Sequence, residues 1–246
     1  LPSFAAYEII ITTEKKLMET LVTLKVSIVL CPIMTDIATG ERIQIKAREL
    51  FMQYGFRSVS MDDIANNLGI SKKTIYQFYG DKDELVDGVI DDQIKLTQDC
   101  CVKDKLDARD AVHEIFLAME MMQEMFANMN PSVLFDMEKF HPRAFAKFQQ
   151  HKYNFLYKAF TENIERGKKE ELFREDVDTD IMVKTRLEMM MLPFNQHVFP
   201  KNKFTLIELQ LQLTEFYLFG IATQKGHKLI QKYQQERIKL TGDAKK

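Results

Sequence analysis

Apolar residues recur at intervals of three and four through most of the chain, and capping residues and glycines interrupt the pattern. Ile43, Ala47, Leu50, Phe51 and Tyr54 share one face of a helix predicted from Ala38 to Tyr54, with Gly55 placed to stop it. Ser60 opens a second short helix whose first turn carries Asp62 and Asp63, where unpaired backbone N–H groups favour anions; Gly69 ends it. Ser71 caps a third helix through Tyr79, before Gly80, and Asp81 caps a fourth with Glu84 at the capping-box position. Short helices following one another so closely make a compact module.

Beyond the fourth helix the pattern lengthens. Amphipathic segments are predicted from Asp107 to Asn128, Ser132 to Phe140 and Pro142 to Arg166, the proline being acceptable in a first turn. Gly167 to Val177 reads as a charged loop. Asp178 caps a helix running toward Met191 before Pro193 breaks it, and helices follow over Thr205 to Lys225 and His227 to Leu240. Near the start, Leu17, Leu21, Leu24 and Ile28 share a face that Val22, Val26 and Val29 blur. Residues 1–34 are therefore expected to be an extension ahead of Met34, the alternative being a genuine helix packed on the body.

Composition supports an all-α chain. Its 246 residues include only 9 Gly and 6 Pro, so helix breakers are scarce. The net charge of −2 and the 46% hydrophobic content exclude a disordered tail or a polycation. Cys31 and the adjacent Cys100 and Cys101 form no disulfide framework, which suits a reducing cytoplasm. No stretch is apolar for long enough to span a membrane. His113, His141, His151, His197 and His227 make no metal-ligand pair, and no nucleophile–base constellation or phosphate-cradling glycine loop is evident. An enzyme, a metal site and a cofactor are therefore not expected.

The chemistry concentrates between Val59 and Leu85. Ile64, Ala65, Leu68, Ile70, Ile75 and Tyr79 are spaced to meet in a small core, with Gly69 turning one helix into the next as in a helix-turn-helix. With Ile75 and Tyr79 inward, the second helix presents Lys72, Lys73, Tyr76 and Gln77 outward, donors and a ring suited to phosphates and base edges. Arg42, Lys46, Arg48, Arg57, Lys72 and Lys73 outnumber Glu49, Asp62 and Asp63 up to Gly80. Asp81, Asp83, Glu84 and Asp87 follow immediately, so the positive patch is narrow and binding should depend strongly on salt.

Ser60-Met61-Asp62-Asp63-Ile64-Ala65, Leu68-Gly69-Ile70-Ser71-Lys72, Thr74-Ile75-Tyr76 and Asp81-Lys82-Asp83-Glu84-Leu85, with Ala47, Leu50, Phe51, Gly55 and Phe56 ahead of them, resemble the DNA-binding domain of the TetR family of transcriptional regulators. Gly167 with Leu172 to Val177 is similar to that family's linker before its first dimerisation helix. The resemblance implies a helix-turn-helix domain over 35–85 and a helical effector-binding and dimerisation domain over 86–246. It assigns Lys72, Lys73 and Tyr76 to bases or backbone, Thr74 and Gln77 to the backbone, and Lys82 to a phosphate. Phe78 departs from the family's usual His or Tyr, which puts a polar contact there in doubt.

In the second domain Met119, Met122, Phe126, Phe155 and Met189 are candidates for an effector pocket, because methionine repacks around ligands; for any single one of them core is the preferred reading. Leu206, Leu209, Leu213, Phe216 and Tyr217 repeat on one helical face and are candidates for a homodimer interface. The implied function is a homodimeric repressor released from a palindromic double-stranded DNA operator by a small apolar effector. The alternatives are a helical ligand-binding or enzymatic protein with a vestigial helix-turn-helix, which the acidic residues after Gly80 favour, and a regulator controlled by a protein partner.

Overall fold

A computed structural model describes residues 39–243; the expectation for residues 1–34 lies outside them. The first helix, α1, covers 39–54, and Gly55 closes it at φ 87°, where a Cβ would also lie 2.8 Å from Asp136 Oδ2 and Ser132 Oγ. Then come α2 (Met61–Leu68), α3 (Lys72–Ile75) and α4 (Lys82–Asp107). The fourth helix continues far beyond the capped start that the sequence made plain. After it come α5 (Ala111–Phe126), α6 (Val133–Phe140), α7 (Pro142–Gln150), a π-helical turn over His151–Leu156, and α8 (Tyr157–Lys169). The series ends with α9 (Thr179–Met189), a 3-10 turn over Leu192–Phe194, α10 (Leu206–Ile221) and α11 (Gln224–Asp243). The described residues contain no named strand, only an isolated bridge between Phe173 and Ala222.

Phe51, Phe56, Ile43, Ile64, Ile75 and Leu85 are fully buried in a first core that also takes Val133, Met137 and Ala144 from α6 and α7. The helix-turn-helix core is thus continuous with the next layer. Asp136, itself buried, accepts from the Arg57 backbone N–H, and Asn130 donates to Met52 O, which pins the end of α1 to α6. The acidic residues that follow Gly80 are largely taken up internally. Asp83, Asp87 and Asp91 lie one turn apart on α4 and pair with His141, Arg143 and Lys147 of the α7 segment at 2.5, 2.7 and 2.6 Å. They join α4 to α7, which removes the support they lent to a vestigial module.

A second core joins α5, α10 and α11 around Phe116, Met119, Leu218 and Ile230, and a third joins the π-helical turn, α8 and α9. The segment after Gly167, expected as loop, starts with the last residues of α8 and is firmly anchored. Glu171 takes the left-handed conformation (φ 60°) that lets Leu172 and Phe173 donate back to Gly167 O. The Phe173 ring then fills the space that a side chain on Gly167 would occupy.

Candidate nucleic-acid interface and effector cavity

Local chemistry builds the recognition surface. The Ser60 hydroxyl accepts from Asp63 N–H while the Asp63 carboxylate accepts from Ser60 N–H, a closed capping box that also holds the Asp63 carboxyl below its ordinary value. Gly69, left-handed at φ 67°, ends α2 and returns its N–H to Ala65 and Asn66 carbonyls. Ser71 caps α3 through Thr74 N–H. The regular helix ends at Ile75, earlier than the expected Tyr79; Gln77 and Phe78 donate three residues back, tightening the last turn, while Tyr79 still donates four residues back to Ile75 O.

Ile75 is fully buried, so Lys72, Lys73, Tyr76 and Gln77 face solvent together, with Tyr76 45% exposed. Lys72 is tethered to Asp62 at 2.7 Å, an exposed pair that a phosphate could displace at little cost. Thr74 is half-buried beside the Ser71 hydroxyl. Lys82 is turned inward more than its expected role suggests. Its ammonium donates to Phe56 O and lies 5.7 Å from the Phe51 ring centroid, and partial burial lowers its pKa. Phe78 packs against the core, while the Tyr79 hydroxyl donates to Gln44 Oε1 at 2.6 Å and so fixes the end of the recognition segment to α1.

The second site is a cavity of about 160 Å³ lined mainly by α4, α5, α6, the π-helical turn and the segment just after α9. Met121, Met122, Met125, Phe126, Met190 and Met191 supply much of its wall, and Gln93, Thr97 and His151 are its polar members. His151 is more than nine-tenths buried, with Nδ1 3.5 Å from the Gln98 amide and Nε2 without a hydrogen-bond partner. It sits on the π-helical turn, a distortion that re-aims side chains at functional sites.

Of the residues expected in an effector pocket, Met122 and Phe126 line this cavity. Met119 is instead fully buried in the second core, and Met189 packs against that same core, because both point toward α10. Phe155 stacks on His151 from outside the cavity, at 5.4 Å between ring centroids. Met121, Met125 and His151 were missed; the first two lie on the same helical stripe as Met122 and Phe126, one residue to the side.

Burial holds the His151 imidazole below its ordinary pKa of 6.5, so the folded chain resists a proton that the unfolded chain accepts. Stability from this histidine is complete above 6.5 and is lost as the pH falls through that value toward the lower folded pKa. His151→Gln is therefore expected to flatten the acid limb of urea-unfolding stability relative to the parent. An identical pH profile would show that His151 is not held neutral.

The face expected at a dimer interface divides in two. Leu206, Leu209 and Tyr217 are buried inside the protomer, a correction that follows from α10 packing on α5 and α9. Leu213 is half-buried, and Phe216 is 75% exposed; Ile181 on α9 is 57% exposed.

Residues 46–89 match the model of a family described as bacterial regulatory proteins, tetR family. Among curated proteins, the chain is 30% identical over 105 residues to one named as the uncharacterized HTH-type transcriptional regulator YvaF of Bacillus subtilis (strain 168), covering 41% of this chain and 53% of that protein. The match thus spans about half the length of the curated relatives. In fold it is similar to a TetR-family transcriptional regulator from Agrobacterium tumefaciens, with a TM-score of 0.65 at 14% identity over 76% of this chain and 100% of that one. It is also similar to a regulator from Saccharomonospora viridis solved in complex with choline, with a TM-score of 0.62 at 19% identity over 76% of this chain and 99% of that one. Among the described residues no helix is long and apolar enough to cross a membrane.

Proposed function

We propose that this chain, a TetR-family transcriptional regulator by its recognition module and its fold, acts as a homodimeric repressor that leaves a palindromic operator when a small, largely apolar molecule enters the methionine-lined cavity. The observation that carries the reading is the outward grouping of Lys72, Lys73, Tyr76 and Gln77 on a segment whose inner face is sealed by Ile75. One short recognition segment covers few bases, so a two-fold pair reading half-sites about one helical turn apart supplies the remaining specificity. Lys82 would add a phosphate contact with whatever donor capacity Phe56 O leaves free.

For dimerisation the exposed Phe216 and Ile181, with Leu213, are the anchors on α9 and α10. The double variant Phe216→Glu, Ile181→Glu is expected to sediment as a folded monomer with an unchanged helical circular dichroism spectrum. A dimer surviving both charges would move the interface elsewhere.

The effector reading rests on a cavity walled by side chains that repack readily and on the polar His151 inside it. An effector releases DNA only by favouring the conformation that fits the operator poorly, so its affinity and the operator's are reciprocally linked. Selection of bound fragments from random DNA identifies the operator. Titration of a candidate effector with and without that operator then tests the coupling, which is expected to be about 5- to 150-fold. Failure to select any palindrome would sink the repressor reading.

A further inference from the structure

Arg186 is an unusual residue to find in the middle of a helical domain. It lies on α9, is 5% exposed, and its guanidinium carbon sits 4.2 Å from the Phe160 ring centroid and 5.6 Å from that of Tyr217. No carboxylate among the described residues pairs with it. Of the acids in the same cleft, Glu114 pairs with Arg166 at 3.3 Å and Glu162 with Lys105 at 2.6 Å, while Asp104 keeps a buried Oδ2 without a hydrogen-bond partner and burial raises its pKa toward the neutral form. A guanidinium kept from water without an anion is costly, and stacking on rings offsets only part of that cost.

Arg186 borders a cleft of about 420 Å³ that opens between α4, α5 and α8. Asn163 stands in the same wall. Its amide Nδ2 donates to Ala111 O at 3.0 Å, which orients the group, while its buried Oδ1 has no partner. The cleft thus pairs an unspent cationic donor with an unspent neutral acceptor. The rest of its lining joins apolar residues such as Val102, Leu106, Ile115 and Phe155 to a charged rim of Asp104, Lys105, Glu114, Lys158 and Glu162.

We propose that this cleft is a second small-molecule site, which takes a carboxylate with an apolar body and a hydroxyl or amino group beside the acid. Arg186 would receive the carboxylate oxygens, and Asn163 Oδ1 would accept from the neighbouring donor. The site shares only Cys101, Ala118 and Phe160 with the methionine-lined cavity, so its ligand binding can be measured apart from the operator reading above. Through Phe160, however, occupancy of one would be felt in the wall of the other.

Calorimetric titration of the full chain without DNA tests the proposal, using phenyllactate, hydrocinnamate and phenylpropanol as probes. Phenyllactate is expected to bind saturably, hydrocinnamate more weakly for lack of the hydroxyl, and the uncharged alcohol weaker than phenyllactate by about tenfold or more. Arg186→Met is expected to abolish the preference for acid over alcohol while melting at or above the parent temperature, because an unpaired buried charge is replaced by an apolar chain of similar length. Equal affinity of the parent for acid and alcohol, or no saturable binding of phenyllactate, overturns the proposal. An Arg186→Met protein that melts well below the parent does so too, since the guanidinium would then be a strut stacked between two rings.

Discussion

Tyr76→Ala is expected to weaken binding to the selected operator about tenfold to a hundredfold, the 1–3 kcal/mol usual for loss of a base-reading side chain, while leaving non-specific binding nearly unchanged. The separation of the two effects follows from where Tyr76 sits. Its ring is exposed beside Gln77 on the tightened turn after α3, and the core beneath is closed by Ile75 and Tyr79, so truncation removes reach without opening the fold. Lys73→Ala should behave in the opposite way, lowering affinity for all sequences and making the plot of log affinity against log salt shallower by about one unit. Lys73 is a cleaner probe of a phosphate contact than Lys82, whose replacement also removes the donor to Phe56 O. Fluorescence anisotropy with operator and scrambled duplexes at several salt concentrations measures all of these. If both variants bind both duplexes as the parent does, the recognition face lies elsewhere.

Gly167→Ala is expected to destabilise the chain strongly. A Cβ there would overlap the ring of Phe173, which is 1% exposed and cannot retreat: its own N–H is bound to Gly167 O, and Arg174 N–H is bound to Ile221 O. Overpacking of this kind costs about 3 kcal/mol at the upper end, equivalent to a fall of roughly 10 °C in the melting temperature of a chain this size. Phe173→Leu in the Gly167→Ala background should recover part of the loss, although the same change in the parent destabilises by leaving a cavity. Additive losses in the double variant would mean that the two residues do not compete for the same space.

The recognition module was legible in the sequence because its signals are local. Ser60, Ser71 and Asp81 cap within three residues of themselves, and Gly55 and Gly69 stop helices through their own backbone angles. Longer-range assignments were harder, for a physical reason. Leu206, Leu213 and Phe216 are equally apolar, and only the packing of α10 on its neighbours decides which of them faces inward. The same ambiguity separated Met119 from Met122, which are one turn apart on α5, although Met119 joins the second core and Met122 lines the cavity. The second half of α4 was overlooked because the charged run from Lys95 to Asp107 carries few apolar residues, leaving little periodicity to read. His151 and Arg186 gave no signal at all; a buried polar group becomes informative only when its partners are known to be missing.

The π-helical turn has left a trace in the spacing of residues along the chain. Ala144, Phe148, Lys152, Leu156, Phe160 and Ile164 follow one another at every fourth position, and all are buried or half-buried. An α-helix advances about 100° per residue, so steps of four overshoot a full circle by about 40° each and would carry such a row roughly 200° around the axis over its length. The wide turn at His151–Leu156 accommodates one residue more than an α-helical turn and gives back about 100° of that drift, holding the row to a single side. Removing one residue from 151–156 would restore a regular helix and rotate every side chain after the cut. Phe160 and Ile164 would then swing away from Val183 and Leu187, so this stretch tolerates substitution far better than a change of length.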